Sequence, residues 1–226
     1  MKKIKSSQLT KDFFSYKDFS GADCVREIIA DVKENGDSAI IKYNKKFGDG
    51  DFEDFLLSDE EIEKAYAQVP QETLDAIQKA AENIKNFAQT QLECLKELKT
   101  DKNGIILGHR IIPLERIGAY VPGGNYPLPS SALMSVIPAK VAGVKEVTVC
   151  SPRIKPATIA ACKIAGADKI YRIGGAQAVA AMAYGTQSIA KVDKIVGPGN
   201  KYVTLAKKEV YGVCGIDFLA GPSEVM

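Results

Sequence analysis

Histidine is nearly absent from this chain of 226 residues, and tryptophan is absent altogether. The single histidine, His109, is flanked by Gly108 and Arg110. A catalytic zinc site needs at least three converging donors, so His109 reads as a surface residue of a strand or loop. The five cysteines (Cys24, Cys94, Cys150, Cys162, Cys214) are scattered, with no C-x-x-C pair and no histidine beside them. That spacing excludes an obvious thiolate metal site and fits a reduced, intracellular protein. No uninterrupted apolar run approaches the length of a membrane span, and the basic start MKKIKSSQLTKDFF lacks the apolar stretch of a secretory signal. The expectation is a soluble, cytoplasmic protein without membrane contact. A surplus of one charge is lacking too: 30 basic against 28 acidic residues leave a net charge of +2. With Lys interleaved with Glu and Asp, the charges read as solvated helix faces and not as a nucleic-acid footprint.

What is present is 46% hydrophobic residues, enough for one large domain or two modest ones. Character changes near Gly104. Before it, charged and apolar residues alternate at helical spacing with little Gly or Pro, which predicts a helical region over 1–103. Val25, Ile28, Ile29, Val32, Ile40 and Ile41 mark two helices broken at Asn35-Gly36-Asp37. Ser58 followed by Glu61 reads as a capping box opening another helix. Pro70 starts a long amphipathic helix from Gln71 to about Leu98, with Leu74, Ile77, Ala81, Ile84, Phe87 and Ala88 on its core side.

Beyond Gly104 short strands and helices alternate. Strands at 117–121, 146–150, 169–173 and 194–196 are separated by helices at 132–141, 156–165 and 176–184, closed by Gly143, Gly166 and Gly185. Strands joined by single helices of this length require a parallel sheet with right-handed crossovers. The fold class is therefore α/β: an incomplete Rossmann-like parallel-sheet domain over 104–226, preceded by the helical N-terminal region.

Ligands of such sheets bind outside the carboxyl ends of the strands. Three Gly-rich loops fall there: Tyr120-Val121-Pro122-Gly123-Gly124, Gly174-Gly175-Ala176-Gln177 and Gly197-Pro198-Gly199-Asn200. None is a G-x-G-x-x-G or Walker loop, and each alone reads as readily as an ordinary turn. Together they place Tyr120, Gln177 and Asn200 where a ring can stack on, and amides can hydrogen-bond to, a base and a ribose. Asp193 and Asp217 read as structural hydrogen-bonding residues, and Arg116 and Lys140 as exposed charges with a lesser claim on a pyrophosphate.

The segments YVPGG, GGAQA, VDKIVGPGN and AGPSE, in this order and spacing, resemble histidinol dehydrogenase over about residues 104–226. The first 103 residues resemble the family more loosely, through Gly36-Asp37 and the following Tyr-Asn-Lys-Lys-Phe segment. The resemblance implies a zinc- and NAD-dependent oxidoreductase that converts L-histidinol through the aldehyde to L-histidine, the last step of histidine biosynthesis, and acts as a homodimer. It further implies that Tyr120, Gln177 and Asn200 contact NAD and that Ser223 contacts the substrate. In the family the zinc ligands and the Glu-His acid/base pair lie downstream of AGPSE, and this chain ends at Met226. The expectation is accordingly a chain that carries the NAD half, has neither metal ligands nor catalytic residues of its own, is inactive alone and leaves apolar surface uncovered. Two alternatives stay open on sequence: a paralogous dehydrogenase of another polar alcohol, suggested by Asn125-Tyr126-Pro127-Leu128, and a non-catalytic dimerisation or binding module.

Overall fold

The computed structural model describes residues 21–50, 53–123 and 126–219. Four helices come first: α1 (Ala22–Asn35), α2 (Asp37–Phe47), α3 (Asp59–Ala67) and α4 (Gln71–Glu93). Val25, Ile28, Ile29 and Val32 bury one face of α1, and Gly36, at φ 56°, breaks the chain between α1 and α2. A β-carbon on Gly36 would sit 2.2 Å from Gln187 Oε1, the atom that accepts the Asp37 N–H at 2.9 Å. The break is thus fixed by a loop 150 residues further on. At α3 the expected capping box is complete: Ser58 Oγ accepts from Glu61 N, and the Glu61 carboxylate accepts from Ser58 N.

The sheet follows, with β3 (Arg116–Tyr120), β4 (Glu146–Cys150), β5 (Lys169–Tyr171), β6 (Lys194–Val196) and β7 (Gly215–Ile216) in the order β5-β4-β3-β6-β7, all parallel. Between them run α5 (Pro129–Val141), α6 (Pro156–Ala165), α7 (Gly175–Tyr184) and α8 (Lys201–Val210). The chain grows outward from β3 to β5, then crosses back through α7 to grow the other way. That is the doubly wound order, and it puts the reversal between β3 and β6.

Each face of the sheet carries helices from both ends of the sequence. Helices α1 and α2 pack with α7 and α8, while α3 and α4 pack with α5 and α6. Helix α7 is buried over Ala176–Ala183, and its run of alanines lets it fit between the sheet and α1. Residues 55–57 run beside β5: Leu57 N donates to Ile170 O and Arg172 N to Phe55 O, which covers one edge of the sheet.

Two expectations are corrected. The long helix ends at Glu93, and Leu98–Lys102 (β1) forms an antiparallel hairpin with Ile105–His109 (β2). Its two-residue loop is Asn103-Gly104, both at positive φ (54° and 79°), as a primed turn demands. The position where sequence character changes is therefore the tip of this hairpin. Phe87 is the second: it is 66% exposed, because the buried stripe of α4 runs through Leu74, Ile77, Ala81 and Ala88, one residue around the helix from it. Helix α8 and strand β7 lay outside the predicted elements.

Candidate functional site

At the carboxyl ends of the parallel strands, beside the β3/β6 reversal, lies a cleft of about 500 Å³. Its floor comes from Tyr120, Pro122 and Gly123 after β3, Pro152 and Arg153 after β4, and Gly175, Ala176 and Gln177 opening α7. Asn200 and Tyr202 line one side, and Ile28 of α1 with Phe47 and Asp49 at the end of α2 close the other. The three residues singled out by the loop argument are thus brought into one cavity, although they come from loops up to 80 positions apart. Ser223 lies outside the described residues.

Glycine permits the close approaches here. A β-carbon on Gly123 would lie 1.9 Å from the Pro152 carbonyl oxygen, so the β3 and β4 loops touch through backbone alone. Gly175 sits at φ 64°, in the left-handed region that glycine enters without steric cost.

Tyr120 ends β3 as a buried residue, 3% exposed, and its hydroxyl accepts the Gly175 N–H at 3.1 Å. Burial pushes its phenol up to about 12, opposed in part by that hydrogen bond. Asn200 is the N-cap of α8, where Oδ1 accepts from the N–H groups of Tyr202 (3.0 Å) and Val203 (3.2 Å). Its oxygen is therefore committed to the helix, and its Nδ2 is the part of the amide left to face a ligand. Gln177, on the first turn of α7, is fully buried. Its Nε2 faces Asn44 Oδ1 of α2 at 3.5 Å, while its Oε1 has no hydrogen-bond partner. Ser151 Oγ, just past β4, is also buried without a partner. Orphaned buried polar atoms are uncommon; Gln177 belongs to the cleft lining, and Ser151 lies behind it, next to Pro152.

Asp49 and Arg153 form the charged end of the cleft. The Asp49 carboxylate, with its side chain 8% exposed, lies 3.5 Å from Arg153 Nε. Burial raises the Asp49 carboxyl above its ordinary value and the guanidinium opposes that rise. Arg153 is one of two non-glycine residues with positive φ among the described residues, at 42°. Neither Asp49, Arg153 nor Asn44 was singled out from sequence. Asp49 and Asn44 lie outside the sheet loops, where the strand-end rule does not look.

The remaining candidates fall elsewhere. Asp193 Oδ2 accepts the N–H groups of Glu115 and Arg116, and Asp217 Oδ2 accepts that of Gly197 while Oδ1 pairs with the buried Lys207 ammonium. Both are structural, as expected, and Asp217 with Lys207 holds the Gly197 loop in place, Lys207 Nζ also donating to Gly197 O. Arg116 begins β3 and Lys140, paired with Asp168, lies in the last turn of α5, so both sit toward the amino ends of the strands, opposite the cleft. His109 is exposed on β2 with its ring nitrogen 2.8 Å from the Lys96 carbonyl oxygen. No group of three His, Cys, Asp or Glu side chains converges among the described residues. All five cysteines are free, and burial raises the thiols of Cys150, Cys162 and Cys214.

The family model described as histidinol dehydrogenase matches residues 15–226. Histidinol dehydrogenase of Methanocaldococcus jannaschii is 53% identical over 207 residues, covering 89% of this chain and 48% of that protein. That of Methanococcus maripaludis is 54% identical over 206 residues, covering 89% and 49%. The crystal structure of histidinol dehydrogenase from Elizabethkingia anophelis superimposes with a TM-score of 0.85 at 39% identity, over 92% of this chain and 49% of that one. The chain spans about half the length of the curated relatives it matches.

Proposed function

The chain belongs to the histidinol dehydrogenase family, and from that premise we propose that it supplies the NAD-binding part of an enzyme that oxidises L-histidinol through the aldehyde to L-histidine. The observation that carries this reading is the cleft at the β3/β6 reversal, where Tyr120, Gln177 and Asn200 converge on one cavity and the buried Gln177 Oε1 is left without a partner. The donor set suits a dinucleotide. Tyr202 offers an exposed aromatic face beside the buried Tyr120, Gln177 an acceptor, Asn200 an amide N–H, and Arg153 a cation for a pyrophosphate. The bound NAD would supply a hydride acceptor, and the protein's task here is to hold and orient it away from water.

Zinc, which the family resemblance implies, does not fit the described residues, since no three His, Cys, Asp or Glu side chains converge among them and the His109 ring nitrogen lies against the Lys96 carbonyl. Ser223 remains the proposed substrate contact on resemblance alone. A cytoplasmic location suits a biosynthetic dehydrogenase, and no helix among the described residues is long and apolar enough to cross a membrane.

Calorimetric titration of NAD into the 226-residue chain and its Gln177→Ala variant tests the site. Binding that the substitution leaves untouched would refute the assignment. The same protein, supplied with zinc and L-histidinol, is expected to form no NADH, because general acid/base chemistry alone is worth about 10²–10⁴-fold and no histidine lines the cleft. Measurable NADH would overturn that half of the reading.

We also propose that the chain assembles as a homodimer. The hairpin β1–β2 exposes Leu98, Ile105, Ile106 and Leu107, and beside it Leu95, Ile111, Ile112, Met134 and Phe218 are exposed as well. An apolar expanse of this kind is rare on a monomer.

A further inference from the structure

Asn44, outside the cleft lining, and Gln177, which is part of it, form a buried amide pair that joins α2 to α7. Both side chains are fully buried, and Gln177 Nε2 donates to Asn44 Oδ1 across 3.5 Å. Two atoms are left over: Asn44 Nδ2 and Gln177 Oε1, neither with a partner. Gln177 Oε1 is the end of the amide turned toward Gly175, whose backbone lines the cleft. A β-carbon at Gly175 would stand 2.6 Å from Oε1 and 3.4 Å from Nε2. A glutamine amide can present either end to a ligand, and free rotation would cost it its selectivity. Here one end is engaged from behind by a residue that does not itself reach the cavity.

We propose that Asn44 is a positioning residue for the ligand site: by accepting from Gln177 Nε2 it fixes the amide so that the carbonyl oxygen, an acceptor, is what a bound dinucleotide meets. The group seated against Gln177 is then a hydroxyl or amino donor, and the phosphates lie away from it, toward Arg153. This rests on the cleft being the dinucleotide site. It also ties the packing of α2, at the far end of the sequence from α7, to cofactor affinity.

The test uses the 226-residue chain with four variants: Asn44→Leu, which removes the acceptor at similar size; Asn44→Asp, which keeps an oxygen where Oδ1 stands; Gln177→Ala; and the Asn44→Leu/Gln177→Ala double variant. Two quantities are read, the Gln177 side-chain amide resonance in a ¹⁵N spectrum, identified by its loss in Gln177→Ala, and the affinity for NAD. Asn44→Leu is expected to shift the amide resonance and to weaken NAD about tenfold, the worth of one neutral hydrogen bond left unmade. Asn44→Asp should restore both. The double variant should bind within about twofold of Gln177→Ala alone, because Asn44 acts only through Gln177. An unchanged Gln177 resonance in Asn44→Leu would overturn the proposal. So would an Asn44→Asp variant as weak as Asn44→Leu, which would mean that Asn44 donates and Nε2 faces the ligand, and so would additive losses in the double variant. A wild-type chain that binds no NAD while its Gln177 resonance still responds to Asn44→Leu would strike down the cofactor reading and leave the fixed amide standing.

Discussion

The Tyr120 hydroxyl accepts the backbone N–H of Gly175 at 3.1 Å, so the last residue of the central strand holds the first turn of α7. Helix α7 has no side-chain cap, because its N-cap residue is Gly174. Tyr120 therefore satisfies one of the N–H groups a helix start leaves over. Tyr120→Phe should destabilise the protein by about 1 to 3 kcal/mol, the usual cost of stranding a buried donor. Chemical denaturation gives the number. A variant as stable as the parent would mean that water replaces the hydroxyl.

The same burial sets an alkaline limit. Tyr43, Tyr120 and Tyr171 are each held up to about 12, chiefly by burial, against about 10 for an exposed phenol. A pKa raised in the fold favours the neutral phenol there. The contribution is complete below the unfolded value and is lost as pH rises through the folded one. Stability should fall between about pH 10 and 12, less steeply in Tyr120→Phe, with phenolate absorbance appearing together with unfolding. Phenolate formation well below the unfolding transition would show that these rings titrate in the intact fold.

The sheet was legible because its strands and helices alternate with Gly stops at Gly143, Gly166 and Gly185, and the structure has all four predicted strands and three intervening helices in that order. The convergence of Tyr120, Gln177 and Asn200 on one cleft was legible because all three follow the carboxyl ends of parallel strands. The hairpin was not read, although Asn103-Gly104 is a strong turn signal, because the helical periodicity of α4 was carried past Glu93 into Leu98. Asn44 was legible only as part of the Tyr-Asn-Lys-Lys-Phe segment, with no role at the cleft. It occupies an ordinary position in an amphipathic helix, and only tertiary packing brings it 133 positions along the chain to Gln177.

At α3 the Ser58–Glu61 box is joined by Arg172, whose Nη1 lies 2.9 Å from Glu61 Oε1. Ser58→Ala should cost about 1 kcal/mol. The Ser58 N–H first, and Arg172 after it, hold the Glu61 carboxyl below its ordinary value. A lowered carboxyl stabilises the fold above its unfolded pKa and loses that contribution as pH falls through the folded value. Glu61→Gln should consequently flatten the loss of stability on acidification. An identical acid profile in the variant would show the pair to be solvent-screened.

The hairpin predicts association. Ile105, Ile106 and Leu107 are consecutive, so they point to both faces of a two-stranded sheet, yet each is at least 58% exposed. A hairpin with neither face covered is marginal by itself. Light scattering should give a mass above one chain, and Ile106→Lys with Ile112→Lys should return it toward a monomer. A monomer over a wide concentration range in the parent would refute this.

Asn200 has two tasks that a single alanine substitution would confuse. Its Oδ1 caps α8 through Tyr202 N and Val203 N, and its Nδ2 is the donor left for a ligand in the cleft. Asn200→Ala removes both, and should cost about 1 kcal/mol of stability along with affinity. Asn200→Ser keeps a hydroxyl acceptor, and serine caps nearly as well as asparagine, so its stability should stay within a few tenths of a kcal/mol of the parent. Serine is too short to return an amide N–H to the cleft. If Asn200 contacts the dinucleotide, Asn200→Ser should therefore melt like the parent and still weaken NAD about fivefold to tenfold, the value of one lost neutral hydrogen bond. Thermal melts paired with NAD titrations on the three proteins separate the roles. Should Asn200→Ser bind NAD as the parent does, Asn200 is a helix cap that shapes the loop, and recognition belongs to Tyr120 and Gln177.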